Sequence, residues 1–218
     1  MAYTEEQTDR LLELRDGIEA NREEYVGVTY RDTAALEEIL GAIEEHTAED
    51  EREDDLAMLR YLGDCYNMMG RHCISEKIYV KAVECAVSMG AEHLSDEDEL
   101  EAFKSDIAMI AKLRNIYNGS RDSCDDIVEL TAGLIGEAEA RKTVDDAAKN
   151  VYIKYDPSEG TEEYLAVIDE VERQIDEELG SGTYMGKCHE IWTLKKSLLA
   201  AKGIEWHSLA EINGGYWD

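Results

Sequence analysis

The chain has 218 residues, of which 51 are acidic and 22 are basic, so its formal net charge at neutral pH is −29. That charge repels phosphate backbones and anionic lipid, so neither nucleic acid nor a membrane surface is an expected partner. With 44% hydrophobic residues, the chain can bury a substantial core. One proline and one phenylalanine, beside many helix-forming residues, favour an all-α protein.

The opening residues have no basic lead followed by an apolar run, and no stretch has the apolar length of a membrane helix. We therefore expect a soluble, unexported, cytoplasmic protein. The five cysteines are odd in number and none forms a C-x-x-C pair. Such thiols are typical of small buried residues in a reducing compartment, so we expect neither a metal site nor a disulfide framework.

Helix-start signals recur along the chain with a period of about 47 residues. Thr4 and Gln7 have the capping-box spacing, and Asp156-Pro157 or Thr161 can begin a later helix. Residues 1–218 are therefore predicted to form a single all-α repeat domain, an array of stacked helical hairpins. The predicted hairpins cover approximately 4–46, 50–90, 97–140 and 141–179, and a capping helix with a short structured tail covers 184–218.

Two short segments have strand-like composition. YVGVTY, residues 25–30, is predicted to be an extended connector between helices. VYIKY, residues 151–155, is predicted to continue a helix, because Val144, Ala148, Val151 and Tyr155 recur at the spacing of one helical face.

The segment from residue 62 to residue 86 resembles a tetratricopeptide repeat. The residues at the repeat's characteristic spacings are Leu62, Gly63, Tyr66, Gly70, Ser75, Tyr79 and Ala82. Small residues in this pattern let two helices cross closely, while the larger ones fill the space around them. A second, poorer copy begins at Leu113, where Arg114 replaces the small residue and Asp126 stands where alanine is usual. That departure argues against a close crossing in the second copy.

The resemblance implies a tetratricopeptide-like α-solenoid whose concave groove binds a protein or peptide. The residues that would line the groove are Arg60, Asp64, Asn67, Met68, Ala111, Asn115 and Asn118. Asparagine amides can hold an extended peptide backbone through a paired donor and acceptor. The alternative interpretation treats Asn67 and Asn118 as ordinary polar residues at helix ends. The function expected is a non-catalytic adaptor or scaffold, with a basic partner favoured by the charge.

The last forty residues contain a basic helix, KCHEIWTLKKSLLAAKG, with an apolar face that suits a terminal cap. The aromatic residues of this region are Trp192, Trp206, Tyr216 and Trp217. They are predicted to plug the end of the array; the alternatives are a partner-binding hot spot and self-association into a homo-oligomer. The tail is similar to tails of uncharacterised bacterial proteins, a resemblance that implies no activity.

Candidate chemistry is sparse. GSGTYMGKC, residues 180–188, approaches a phosphate-binding loop but has its first glycine out of register and a cysteine in place of the hydroxyl. Cys188, His189 and His207 could form a metal or thiol site, so the alternative function is a metal- or ligand-dependent enzyme. We expect no catalytic residue, no resident metal and no cofactor.

Overall fold

The computed structural model describes residues 3–25, 27–46, 52–117, 123–180 and 186–214. Within these ranges every regular element is helical, which confirms the all-α prediction, and one isolated parallel bridge joins Tyr117 to Tyr155. The helices are α1 Glu5–Tyr25, α2 Thr33–Glu45, α3 Arg52–Met68, α4 His72–Met89, α5 Glu97–Arg114, α6 Asp125–Ile135, α7 Glu137–Lys149, α8 Glu162–Leu165, α9 Ile168–Leu179, α10 Cys188–Ala201 and α11 Leu209–Asn213. Short 3₁₀ turns cover Tyr30–Asp32, His93–Ser95 and Pro157–Gly160. None of the described helices combines the length and apolar character needed to cross a bilayer.

Two of the predicted helix starts, at Thr4 and at residues 156–161, are found in the structure. The Gln7 backbone donates to Thr4 Oγ1 at 3.2 Å, and the Thr4 backbone donates to Gln7 Oε1 at 2.9 Å. Both alternatives considered for the later start are used, since Asp156 caps the 3₁₀ turn and Thr161 caps α8. Side-chain acceptors in these positions satisfy backbone N–H groups that the first helical turn leaves without partners.

The core consists of two clusters of buried side chains. The first extends from Leu11 to Ala147 and is built by α1 to α7, whereas the second is built around Tyr164, Ile168 and Leu199 by α8 to α10 and the segment after α10. In the first cluster, α4 packs on both α3 and α5, and α7 packs on both α5 and α6. In the second, α10 packs on α9.

The crossing of α3 and α4 depends on small side chains. A Cβ atom at Gly63 would lie 2.8 Å from the Tyr79 ring, and the buried Ser75 hydroxyl donates to the Gly63 carbonyl at 2.8 Å. Ala82 is fully buried in the same pair of helices. Each of these residues was expected to allow close approach, and the contact distances agree with that interpretation.

The second copy of the pattern is held together differently. Arg114 and Asp126, at the positions of Gly63 and Ser75, form a two-pronged ion pair with N···O distances of 2.6 and 2.9 Å. Arg114 also donates to Glu76 of α4 at 2.9 Å. A Cβ atom at Gly133 would meet nothing within 4 Å, so this glycine does not permit a tight crossing.

The hairpin boundaries differ from those predicted for the second half of the chain. The tight hairpin is α6–α7, joined through Gly136, whose φ of 83° lies in the region that glycine adopts readily. It therefore lies across the predicted boundary between 97–140 and 141–179. Of the connector predicted over 25–30, residues 27–29 lack regular structure, whereas Tyr25 ends α1 and Tyr30 begins the first 3₁₀ turn.

The helical prediction for residues 151–155 is wrong. Helix α7 ends at Lys149, and the following residues are extended. The Tyr155 N–H donates to the Ile116 carbonyl at 2.9 Å instead of to its own helix. Pro157 contributes to this outcome, because a proline disfavours helical geometry in the residue before it and cannot donate to a preceding turn.

We expect Gly63→Ala to lower the free energy of unfolding by about 1–3 kcal/mol, because the new methyl group overlaps the Tyr79 ring. Gly133→Ala is the matched control, since it lies in a helix, has open space at Cβ and should be neutral or stabilising by up to about 1 kcal/mol. Urea denaturation of both variants measures the difference. Equal effects of the two substitutions would contradict a close crossing at Gly63.

Candidate functional site

The two charged residues predicted to line the groove hold helices together. Arg60 donates through Nε to Asp106 of α5 at 2.9 Å and through Nη1 to Glu99 at 3.0 Å. Asp64 accepts a hydrogen bond from the Tyr79 hydroxyl at 2.6 Å while remaining exposed. These side chains lie on the predicted face of α3, but these hydrogen bonds join them to α4 and α5.

The remaining predicted groove residues are distributed between surface and interior. Met68 is 43% exposed, whereas Ala111 is completely buried and therefore cannot line an open groove. Asn67 Oδ1 lies 3.2 Å from His72 Nδ1, and the Asn115 amide donates to the Ala111 carbonyl of its own helix at 2.9 Å. Asn67 and Asn115 thus act at helix ends, the alternative considered for Asn67. Asn118 lies outside the described residues.

An asparagine does hold an extended backbone, but it is one that sequence reasoning missed. The Asn213 amide oxygen accepts from the Lys154 N–H at 2.8 Å, and its Nδ2 donates to the Lys154 carbonyl at 2.8 Å. The clamp ties α11 to the segment between α7 and the 3₁₀ turn at Pro157. Sequence spacing gave no signal for it, because the partners are 59 residues apart.

A cleft of about 360 Å³ lies between α1 and α3. Its apolar lining includes Leu11, Leu12 and Met58, with Leu12 40% exposed. Tyr3 lies at the cleft and donates to Asp55 Oδ1 at 2.8 Å. The cleft therefore presents exposed apolar surface beside a fixed polar group, the combination found in recognition grooves.

The Tyr3 end of the cleft is organised by a histidine. The His46 ring stacks on Tyr3 with 3.8 Å between ring centroids, and its Nδ1 lies 2.6 Å from Asp55 Oδ2. Asp55 is thus held between Tyr3 and His46. These contacts fix the N-terminal residues against α3.

The aromatic residues near the C-terminus separate into two groups. Trp206 is only 3% exposed, packs in the second cluster and donates from Nε1 to Glu159 at 2.6 Å. Trp192 is partly buried against the same cluster. These two side chains therefore belong to the second core cluster, while Tyr216 and Trp217 lie outside the described residues.

Of the residues suggested for a metal or thiol site, Cys188 and His189 lie at the start of α10, and His207 lies between α10 and α11. Cys188 begins α10, and the exposed His189 meets Trp192 edge-on at 5.5 Å. His207 Nδ1 lies 2.9 Å from Asp156 Oδ2, which also accepts the His207 backbone N–H. Among the described residues, no group of three histidine, cysteine or acidic side chains is placed to hold a metal ion.

Two buried titratable groups in the first half of the chain have shifted pKa values. Burial raises the pKa of Asp106 to about 6, although the Arg60 guanidinium acts in the opposite direction. Burial, assisted by the positive charges of Arg71 and Lys195, lowers the pKa of His72 to about 4. The two shifts have opposite consequences for stability, because a raised acid pKa and a lowered histidine pKa change proton uptake on unfolding in opposite directions.

Comparison of the chain with family models, curated protein sequences and solved structures finds no significant match.

We expect the wild-type chain to lose about 1 kcal/mol of stability relative to Asp106→Asn as the pH rises from about 5 to about 7. The folded-state pKa of about 6 lies above the unfolded value of 3.8, so this residue favours folding most at low pH. Urea denaturation of both proteins at several pH values gives the difference. A difference that does not vary with pH would contradict the raised pKa.

The opposite dependence is expected for His72. The pKa of His72 is 6.5 in the unfolded chain and about 4 in the folded chain. Below about pH 6.5 the unfolded chain binds more protons than the folded chain, so acidification promotes unfolding. Relative to His72→Gln, the wild type should lose about 2 kcal/mol between about pH 7 and about pH 5. His189→Gln is a control, because that histidine is exposed to solvent. The interpretation fails if both substitutions have the same effect on the pH profile.

Proposed function

We propose that the protein is a non-catalytic adaptor whose α1–α3 cleft binds a basic, amphipathic segment of a partner protein. The observation that carries this proposal is the cleft itself, an apolar-lined groove with an exposed leucine, whose charged lining residues are Asp54, Asp55 and Arg15. Under the tetratricopeptide-like arrangement, α1 and α3 are the first helices of successive pairs, and first helices line the recognition groove.

The exposed face of α3 supports recognition along the helix beyond the cleft. Ala57, Tyr61, Asp64 and Met68 follow one another at intervals of three or four residues, and each is exposed or partly exposed. Side chains at this spacing lie on one helical face. The cleft occupies one end of this face and Met68 the other, so a bound segment of two to three helical turns would contact both.

The charge around the cleft favours a basic partner. Helix α1 carries eight acidic residues against three arginines, and those on its exposed surface include Asp9, Glu13 and Asp16. Helix α3 exposes Glu53 and Asp54 at its start. Acidic residues around an apolar floor attract a segment that has lysine or arginine beside leucine or phenylalanine, and they speed its association at low salt.

Selection of randomised peptides against the purified chain tests the proposal. We expect the selected peptides to be basic and amphipathic, and their affinity to fall as salt rises because the attraction is screened. Leu12→Arg should weaken binding at least about tenfold, since it places a charge at the apolar edge of the cleft. Isothermal titration calorimetry measures the dissociation constants.

Ile153→Arg is the matched control, because Ile153 is 42% exposed and lies outside the cleft lining. It should bind the selected peptides as the wild type does. Recovery of acidic peptides, failure to recover any peptide, or equal binding by both arginine variants would overturn the proposal.

A further inference from the structure

A second cavity, of about 280 Å³, lies where the two core clusters meet. The first cluster contributes Val28 and Met69 to its wall, and the second contributes Ile175 and Ile191. Met68 is the exposed residue among those that line it. Apolar walls with a few charged groups, in a volume near the lower end of the usual range, are typical of a small-ligand pocket.

One charged group in this cavity lacks a partner of opposite charge. Lys195 lines the wall, and its Nζ lies 4.8 Å from the centroid of the Trp206 ring and 5.4 Å from that of Tyr164. Within the described part of the chain, it makes no ion pair with a carboxylate. The next residue, Lys196, pairs with Glu211.

Among the described lysines, an unpaired ammonium on a partly buried side chain is unusual. The other described lysines with neither a carboxylate nor a carbonyl partner are Lys77 and Lys112, and both of those are exposed to solvent. Lys195 is only partly exposed, so water stabilises its charge less well. Burial accordingly lowers the pKa of Lys195.

The acidic groups around the cavity are already engaged. Glu172 binds Arg71 through both carboxylate oxygens, at 2.7 and 3.1 Å, and Asp176 binds Arg31 at 2.7 Å. Glu159, which also acts electrostatically on Lys195, accepts the Trp206 indole N–H. Of the charged residues that line the cavity, Lys195 is therefore the one without an oppositely charged partner in the described part of the chain.

We propose that this cavity binds a small organic monoanion, with a carboxylate on Lys195 and an apolar body between Met69, Ile175 and Ile191. A monoanion is favoured over a phosphate ester because Glu172 and Asp176 also line the cavity and repel a second negative charge. The Arg31 guanidinium, held over the rings of Tyr25 and Tyr30 at 4.3 and 4.6 Å, also lines the cavity.

Binding of benzoate and hexanoate to the full chain tests the assignment by calorimetry and by the intrinsic fluorescence of tryptophan. Both acids should bind in the millimolar range or more tightly, and benzamide and hexanamide should bind at least about tenfold more weakly. Benzylamine and hexylamine should not bind. Preference for the amines, or no binding of either acid, would overturn the proposal.

Substitution of the lysine provides the second arm. Lys195→Met should abolish binding of the acids and raise the melting temperature, because methionine fills the space without a desolvated charge. Lys196→Met, which removes the neighbouring ammonium, should leave binding unchanged. Lys195→Arg, with circular dichroism to verify folding of each variant, keeps a positive charge and should retain part of the affinity. Unchanged binding in Lys195→Met would overturn the assignment.

Discussion

The junction between the two halves of the molecule depends on one buried guanidinium. Arg71, 4% exposed, lies in the turn between α3 and α4 and meets Glu172 and Asp169 of α9. Burial alone would lower the pKa of Arg71, but Glu172, Tyr164 and Asp169 together raise it, so the residue stays charged. Because a buried charge without partners is costly, α9 must lie where its carboxylates reach Arg71. This requirement positions the second core cluster and, with it, the cavity at the junction.

Two kinds of contact join neighbouring helices in the first cluster. At Gly63 and Ser75 the backbones approach closely, and packing plus one hydrogen bond hold them. At the corresponding positions Arg114 and Asp126 join their helices through long side chains, and α7 packs against α5. Close packing gives a fixed crossing, while a partly exposed ion pair contributes little net stability and tolerates a wider separation. The helical pairs are consequently not equivalent.

Local patterns were sufficient to predict the all-α class, the caps at Thr4, Asp156 and Thr161 and the close α3–α4 crossing, because each depends on residues that are near one another in the sequence. The failures involve long-range partners. Residues 151–155 have helical spacing, yet Ile116 and Asn213 hold them extended. Ala111 was predicted to line the groove but is buried. The ion pair between Arg60 and Asp106 could not be predicted, because the two residues are 46 positions apart in the sequence. The α1–α3 cleft and the Lys195 cavity likewise require helices from separate pairs.

The lack of a carboxylate partner for Lys195 follows from the contact that docks the second cluster. Glu172 is close enough to influence Lys195, but both of its carboxylate oxygens bind Arg71. Because Arg71 is buried, the loss of these two contacts would be costly. The contact that docks the second cluster therefore leaves Lys195, which lines the adjoining cavity, without a carboxylate partner among the described residues. An anion at Lys195 would lie between Met69 of the first cluster and Ile191 of the second. Its binding would stabilise the docked arrangement by mass action, so occupancy of the cavity and association of the two clusters are thermodynamically linked.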